Sequence, residues 1–186
     1  MTPPRTPPFE AGPAAAGPAS PCVAGVLRWT GGEAACAFGR SGLIAAAAKR
    51  EGDGATPIGA WVLRELFYRP DRLARPQCVL PVTAITPDMG WCDDPAHPLY
   101  NQRVPLPFTA SCEKLWREDG LYDLILPLGY NDAPAVSGLG SAIFLHCAAP
   151  ALTPTEGCVA LPRDTLLSLI ATIGPGDALL IRPSPT

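Results

Sequence analysis

The sequence is poor in the residues and spacings that mark several large functional classes. Only two histidines, His97 and His146, occur in 186 residues, and no two of the seven cysteines stand in CxxC spacing. Zinc fingers and ribbons need such closely spaced Cys and His ligands, so no metal is expected, and no cofactor either. The arginines are scattered, the net charge is −3, and no basic cluster interleaves with aromatics. Nucleic acid is therefore not an expected partner. No apolar run reaches the roughly 18 residues that a spanning helix requires. The opening MTPPRTPPFEAGPAAAGPASP lacks a central apolar segment behind a basic end, so it is not a recognisable secretory signal. There is no internal repeat and no alternation of strand and helix patterns that would signal a parallel α/β sheet.

What is present is proline, glycine and short apolar runs. Proline density over residues 1–21 removes backbone donors and fixes φ, so this segment reads as a disordered or polyproline-like arm. Residues 22–186 then read as one domain, with 47% hydrophobic and 17% charged residues in the whole chain. Strands are expected at 22–29, 33–38 and 42–48, with a possible hairpin around Gly39–Gly42, and at 61–68. The stretch 79–86 reads as an edge strand because of Pro81. Glycines, Asp53 and Pro57 make 49–59 a loop. Residues 87–112, with five prolines, read as a long functional loop. LYDLILPL (121–128) and SAIFLH (141–146) are continuous apolar runs that burial on two faces would explain. One helix follows: Pro162 suits its start, Asp164 its positive end, Leu166, Leu167, Ile170 and Ile173 its apolar stripe, and Gly174-Pro175 its stop. The sum is a mostly β fold, a sandwich or barrel of short strands with one helix late in the chain.

The chemistry centres on PTEGCVAL (154–161). His146 ends an apolar strand, and Cys158 follows twelve residues later in the loop before the helix. A thiolate, not a thiol, is the nucleophile, and a neighbouring imidazole plus a helix N-terminus would favour it. Gly157 allows a sharp bend, and the amides of 157 and 158 are candidate oxyanion donors. Cys147 should face away from His146, because neighbours on a strand point to opposite sides. A satisfied core histidine and a buried inert thiol are the bland alternatives.

His146 with Thr155-Glu-Gly-Cys158 resembles the signature of the L,D-transpeptidase (YkuD-type) catalytic domain. KREGDGATPIGAW (49–61), GWCDDPAHPLYNQ (90–102) and YDLILPLGYND (122–132) are similar to other segments of that family, in its order. The resemblance implies a YkuD-like β fold with Cys158 as nucleophile, His146 as general base and Gly157 beside the oxyanion site. It implies cysteine acyl-enzyme transfer between peptidoglycan stem peptides, with carbapenem β-lactams as covalent inhibitors, in a monomer at the periplasm or cell wall. The family commonly has His before the Gly-Cys and Arg two residues after it; here these are Glu156 and Ala160. Arg163 or Arg103 is then the expected anchor for a substrate carboxylate, and both 3–3 and L-alanine-linked 1–3 cross-links stay open. Tyr130, Asn131 and Glu156 are candidate substrate contacts, and Trp91 and Tyr100 belong to an expected lid. A hydrolase on the same scaffold (carboxypeptidase or endopeptidase) and a non-catalytic wall-binding module are the alternatives.

Overall fold

A computed structural model of the chain describes residues 8–13 and 23–183. In chain order the strands are β1 (Phe9–Pro13), β2 (Ala24–Trp29), β3 (Gly32–Ala37), β4 (Leu43–Ala45), β5 (Thr56–Val62), β6 (Leu66–Tyr68) and β7 (Val82–Ala84). They continue as β8 (Met89–Cys92), β9 (Arg103–Pro105), β10 (Cys112–Lys114), β11 (Leu124–Pro127), β12 (Phe144–Cys147), β13 (Val159–Leu161) and β14 (Ala178–Ile181). One α-helix, α1 (Arg163–Ile170), lies between the last two. Eleven strands form one sheet in the order β4-β5-β14-β1-β2-β3-β13-β12-β11-β6-β7, and β10-β8-β9 form a second. Among the described residues the fold is mostly β with a single α-helix after Cys158, as the sequence leads one to expect.

Every residue of β11, β12 and β13 is buried. Leu124, Leu126, Leu145, Cys147, Val159 and Leu161 face a core shared with Leu166, Leu169 and Ile170 of α1. Ile125, Phe144 and Cys158 turn the other way, onto Phe67, Ile85, Leu115 and Tyr122. A strand alternates polar and apolar only when one face is wet, so burial on both sides gives the unbroken runs seen in sequence. Each fully buried Leu or Phe contributes about 1.5–3 kcal/mol of transfer free energy. The helix starts one residue later than Pro162, which is its N-cap with φ −52° and ψ 139°. Asp164 sits in its first turn, where the helix dipole favours a negative charge.

Four expectations change. Within the supposed arm, β1 joins the main sheet, pairing parallel with β14 and antiparallel with β2. Phe9 and Ala11 point into the core, and Pro13 falls at the strand end, where a missing donor costs least. The remainder of 1–21 lies outside the described residues. The proline-rich 87–112 stretch contains β8 and β9 and runs into β10, because its prolines fall between strands or at their ends. β5 begins at Thr56, inside the expected loop 49–59, and the run 61–68 is split between it and β6, interrupted at 63–65. The hairpin turn is at 30–31, between β2 and β3, whereas β4 pairs in parallel with β5. The strand at 79–86 is β7, an edge of the large sheet.

Candidate active site

Adjacent parallel strands bring the two chemical groups together. On β12 and β13, Leu145 pairs with Val159 and His146 with Ala160. Side chains alternate, so His146 and Phe144 share a face with Ala160 and Cys158. Cys158 is thus one step diagonal from His146, and the residue opposite the imidazole is only a methyl group. Both side chains line one cavity of about 440 Å³. Cys147 turns to the helix-side core, as alternation requires.

The loop before Cys158 is tied on three sides. The Thr155 amide donates to the Phe38 carbonyl at 2.9 Å, and the Arg40 amide donates to the Thr155 carbonyl at 2.8 Å. The hydroxyls of Thr155 (2.7 Å) and Thr56 (3.3 Å) both donate to the Cys158 carbonyl. Gly157 has φ +136°, a conformation L side chains rarely adopt, and a Cβ there would meet the Ala55 carbonyl at 3.0 Å. Its amide donates to Thr155 Oγ1 at 3.1 Å. The Gly157 amide is therefore engaged within its own turn.

Around the sulfur, the Phe144 amide donates to Cys158 Sγ at 3.3 Å, and the thiol donates to the Ala142 carbonyl at 3.2 Å. Ala142 has φ +52°, an uncommon state for a residue with a Cβ. Asn101 holds it there. Asn101 Oδ1 accepts from the Ala142 amide (3.0 Å) and from Trp91 Nε1 (2.9 Å). Its Nδ2 donates to the carbonyls of Tyr130 (3.1 Å) and Asn131 (2.8 Å). Asn101 is buried with its amide group fully used, so it fixes the turn on which the thiol rests.

His146 Nδ1 lies 2.8 Å from the Cys147 carbonyl. A carbonyl only accepts, so Nδ1 carries the hydrogen and Nε2 keeps its lone pair. Tyr122 stacks edge-on against the imidazole, with ring centres 5.4 Å apart, and donates to Glu113 at 2.5 Å. Burial pushes the His146 pKa down to about 4, although the Cys147 and Leu121 carbonyls favour the cation. Burial, then the Glu113 charge, pushes the Cys158 thiol up to about 12. The thiolate is disfavoured by on the order of 4 kcal/mol relative to an ordinary thiol. Thiol and imidazole line the same cavity and are both held neutral, not in the ion pair that sequence reasoning expects. Nor does α1 help: it packs on the opposite face, roughly 13 Å along the chain from Cys158 at strand rise.

Of the other expected site residues, only Glu156 lines this cavity; it is exposed and ion-paired with Arg40. Arg163 opens α1 and pairs with buried Asp123 at 3.3 Å, outside the cavity. Trp91 and Arg103 line a second cavity of about 360 Å³ behind Phe144. Trp91 packs edge-on against Phe144 at 5.1 Å, anchoring its segment instead of forming a lid. Tyr100 is buried and bonded to Glu51, and its hydroxyl accepts from the Gly140 amide at 3.0 Å. Tyr130 stacks on Trp61 and donates to the Leu139 carbonyl at 2.6 Å. Asn131 braces the 136–140 loop through bonds of 2.8–3.0 Å. These are structural roles, set by buried polar groups finding partners.

Sequence reasoning missed Lys49, Glu113, Arg117 and Tyr122, which also line the cavity. Lys49 is tied to Asp53 at 2.6 Å. Burial alone would raise the Asp53 pKa, but Lys49 and the Arg50 and Ala55 amides outweigh it and hold the carboxyl low. Arg117 lies over the Tyr122 ring at 5.0 Å, and it, not Arg103 or Arg163, is the arginine at the cavity.

A family model of the L,D-transpeptidase catalytic domain (YkuD) matches residues 23–181. The chain belongs to that family. No curated protein and no solved structure matches it. The family match spans the strand-borne His146, the Thr155–Cys158 turn and every other residue that lines their cavity. Among the described residues, no helix is long and apolar enough to cross a membrane.

Proposed function

We propose that the chain is a peptidoglycan L,D-transpeptidase in which Cys158 is the nucleophile and His146 the general base. One observation carries this reading: the two side chains share a face of β12–β13 and open into one cavity, with the imidazole fixed in the tautomer that leaves Nε2 free. Because thiol and imidazole are both neutral, proton transfer accompanies attack. Cys158 Sγ bonds to the carbonyl carbon of the donor stem, at the L-centre of its diaminopimelate, as the thiol proton passes to His146 Nε2. The imidazolium returns that proton to the departing D-alanine nitrogen. The Phe144 amide already points at the sulfur and stabilises the charge that develops there. The amine of a second stem then attacks the thioester carbonyl and gives up a proton through His146 to the departing Cys158 sulfur, completing the cross-link without ATP.

The cavity wall favours an amine acceptor over water. Glu51, Asp93, Glu113 and Glu156 line it against Lys49 and Arg117; Lys49 is committed to Asp53 and Glu156 to Arg40, which leaves three carboxyl groups against one guanidinium. An acidic rim raises the local concentration of an ammonium group. Such a reading places the work of the protein at the cell wall and makes carbapenems covalent ligands. Incubation with purified tetrapeptide stems tests it: cross-linked dimers with release of D-alanine are expected, and Cys158→Ala should give neither. Loss of D-alanine without dimers would identify a hydrolase, and no turnover at all would leave only a binding module. Dimers joined at L-alanine, formed with loss of the rest of the donor stem instead of free D-alanine, would identify the 1–3 linkage.

A further inference from the structure

The thiols outside the cavity include a pair that the mechanism does not use. Cys92 on β8 and Cys112 on β10 are directly paired across the small antiparallel sheet. The Asp93 amide donates to the Ser111 carbonyl at 3.3 Å, and the Leu115 amide to the Met89 carbonyl at 3.1 Å. This alternation makes Cys92–Cys112 a non-hydrogen-bonded pair, in which Cα atoms approach to about 4.5 Å and side chains face one another. Disulfides accept Cα separations of roughly 4.4–6.8 Å, so the backbone is already placed for one. Cys112 Sγ lies only 3.4 Å from where a Cβ on Gly90 would sit. Gly90 and Cys92 share a face, so the Cys112 thiol is on the Cys92 side, and the missing Cβ gives it room to turn.

We infer that Cys92 and Cys112 are a disulfide site that staples β8 to β10. Cys112 is half-buried and reacts first with a small disulfide oxidant, expelling one thiol of the oxidant and forming a mixed disulfide. Fully buried Cys92 then attacks Sγ of Cys112 and expels the second thiol. Two S–H bonds are lost and one S–S bond forms; the two electrons and two protons leave on the reduced oxidant. The bond closes the segment that contains β9. It also fixes the strands that present Asp93 and Glu113 to the cavity, because those residues follow the two cysteines and point to the other face. Cys158 plays no part in it, so the site stands whether or not the transpeptidase reading holds.

The test is peptide mapping of the whole chain after equilibration with oxidised glutathione, with free thiols alkylated in denaturant and no reduction before digestion. A Cys92–Cys112 linked peptide, two hydrogens lighter than its parts, is expected, with Cys158 recovered alkylated. The melting temperature should exceed that of reduced protein by roughly 5–10 °C, and Cys112→Ser should abolish the difference. Both cysteines recovered alkylated, Cys112 left as a stable glutathione adduct, or Cys92 linked elsewhere would overturn the site. A linked peptide with no change in melting temperature would overturn its role as a staple. The mapping needs no variant, so a poorly folding Cys112→Ser leaves the answer intact.

Discussion

Cys147 and Cys158 make an instructive pair. Cys147 ends β12 and Cys158 immediately precedes the neighbouring parallel β13; both are buried, and burial pushes both thiols up to about 12. Cys147 faces the leucines of the helix side, where it packs as a small apolar group. Cys158 faces a cavity that also holds an imidazole, receives an amide hydrogen on its sulfur and rests on the carbonyl of Ala142, whose amide donates to Asn101. Acidity does not separate the two. What separates them is which face of the sheet they occupy, and hence whether the sulfur opens into a cavity that an imidazole also lines.

The largest expected effect comes from exchanging the two thiols for methyl groups. Cys158→Ala should lower thioester formation at least about 10³-fold with little loss of stability. Cys147→Ala should leave acylation near wild type while costing about 1 kcal/mol of stability. Rates of carbapenem acylation alongside denaturant unfolding check both; equal losses of activity would erase the distinction. His146→Gln keeps the size of the side chain but lacks a base at the Nε2 position, and should slow acylation by roughly 10²–10⁴-fold.

His146 also makes stability depend on pH. Its folded pKa of about 4 lies below the ordinary value near 6.5, so between these limits the unfolded chain binds more protons than the folded one. Stability should therefore be full above about pH 6.5 and fall by on the order of 3 kcal/mol as pH drops towards 4. Unfolding midpoints across that window in wild type and His146→Gln measure it, and the variant should show a flatter profile. A smaller effect is expected at Asn101. Asn101→Leu leaves the Ala142 amide, Trp91 Nε1 and two carbonyls without their partner, which should cost about 1–3 kcal/mol. Because Ala142 supports the thiol, acylation should slow about tenfold even in the folded fraction; unchanged kinetics would remove Asn101 from the account.

Much of this was legible in the sequence for identifiable reasons. The runs 121–128 and 141–146 announced central strands because burial on both faces leaves no polar alternation. That Cys158 and His146 open into one cavity was legible because a short chain with two histidines offers few bases, and because Thr155-Glu-Gly-Cys resembles a known turn. Glu113 and Tyr122 were hidden, since they reach the cavity from β10 and the approach to β11, and strand pairing across long separations leaves no local mark. The proline content of 87–112 misled for the opposite reason: its prolines flank strands, and density alone does not show position. Arg163 and Tyr100 had suitable chemistry for a site, yet buried partners, Asp123 and Glu51, claim them. The thiol pKa was misjudged because motif reasoning counts the neighbouring imidazole and helix but not burial.

The most direct measurement is peptide mapping after brief exposure of the folded, reduced protein to meropenem. A single β-lactam adduct on Cys158, absent from His146→Gln over the same interval and unaffected by Cys147→Ala, is the predicted result. An adduct on another cysteine, or none on Cys158 in folded protein, would contradict a nucleophile at that turn.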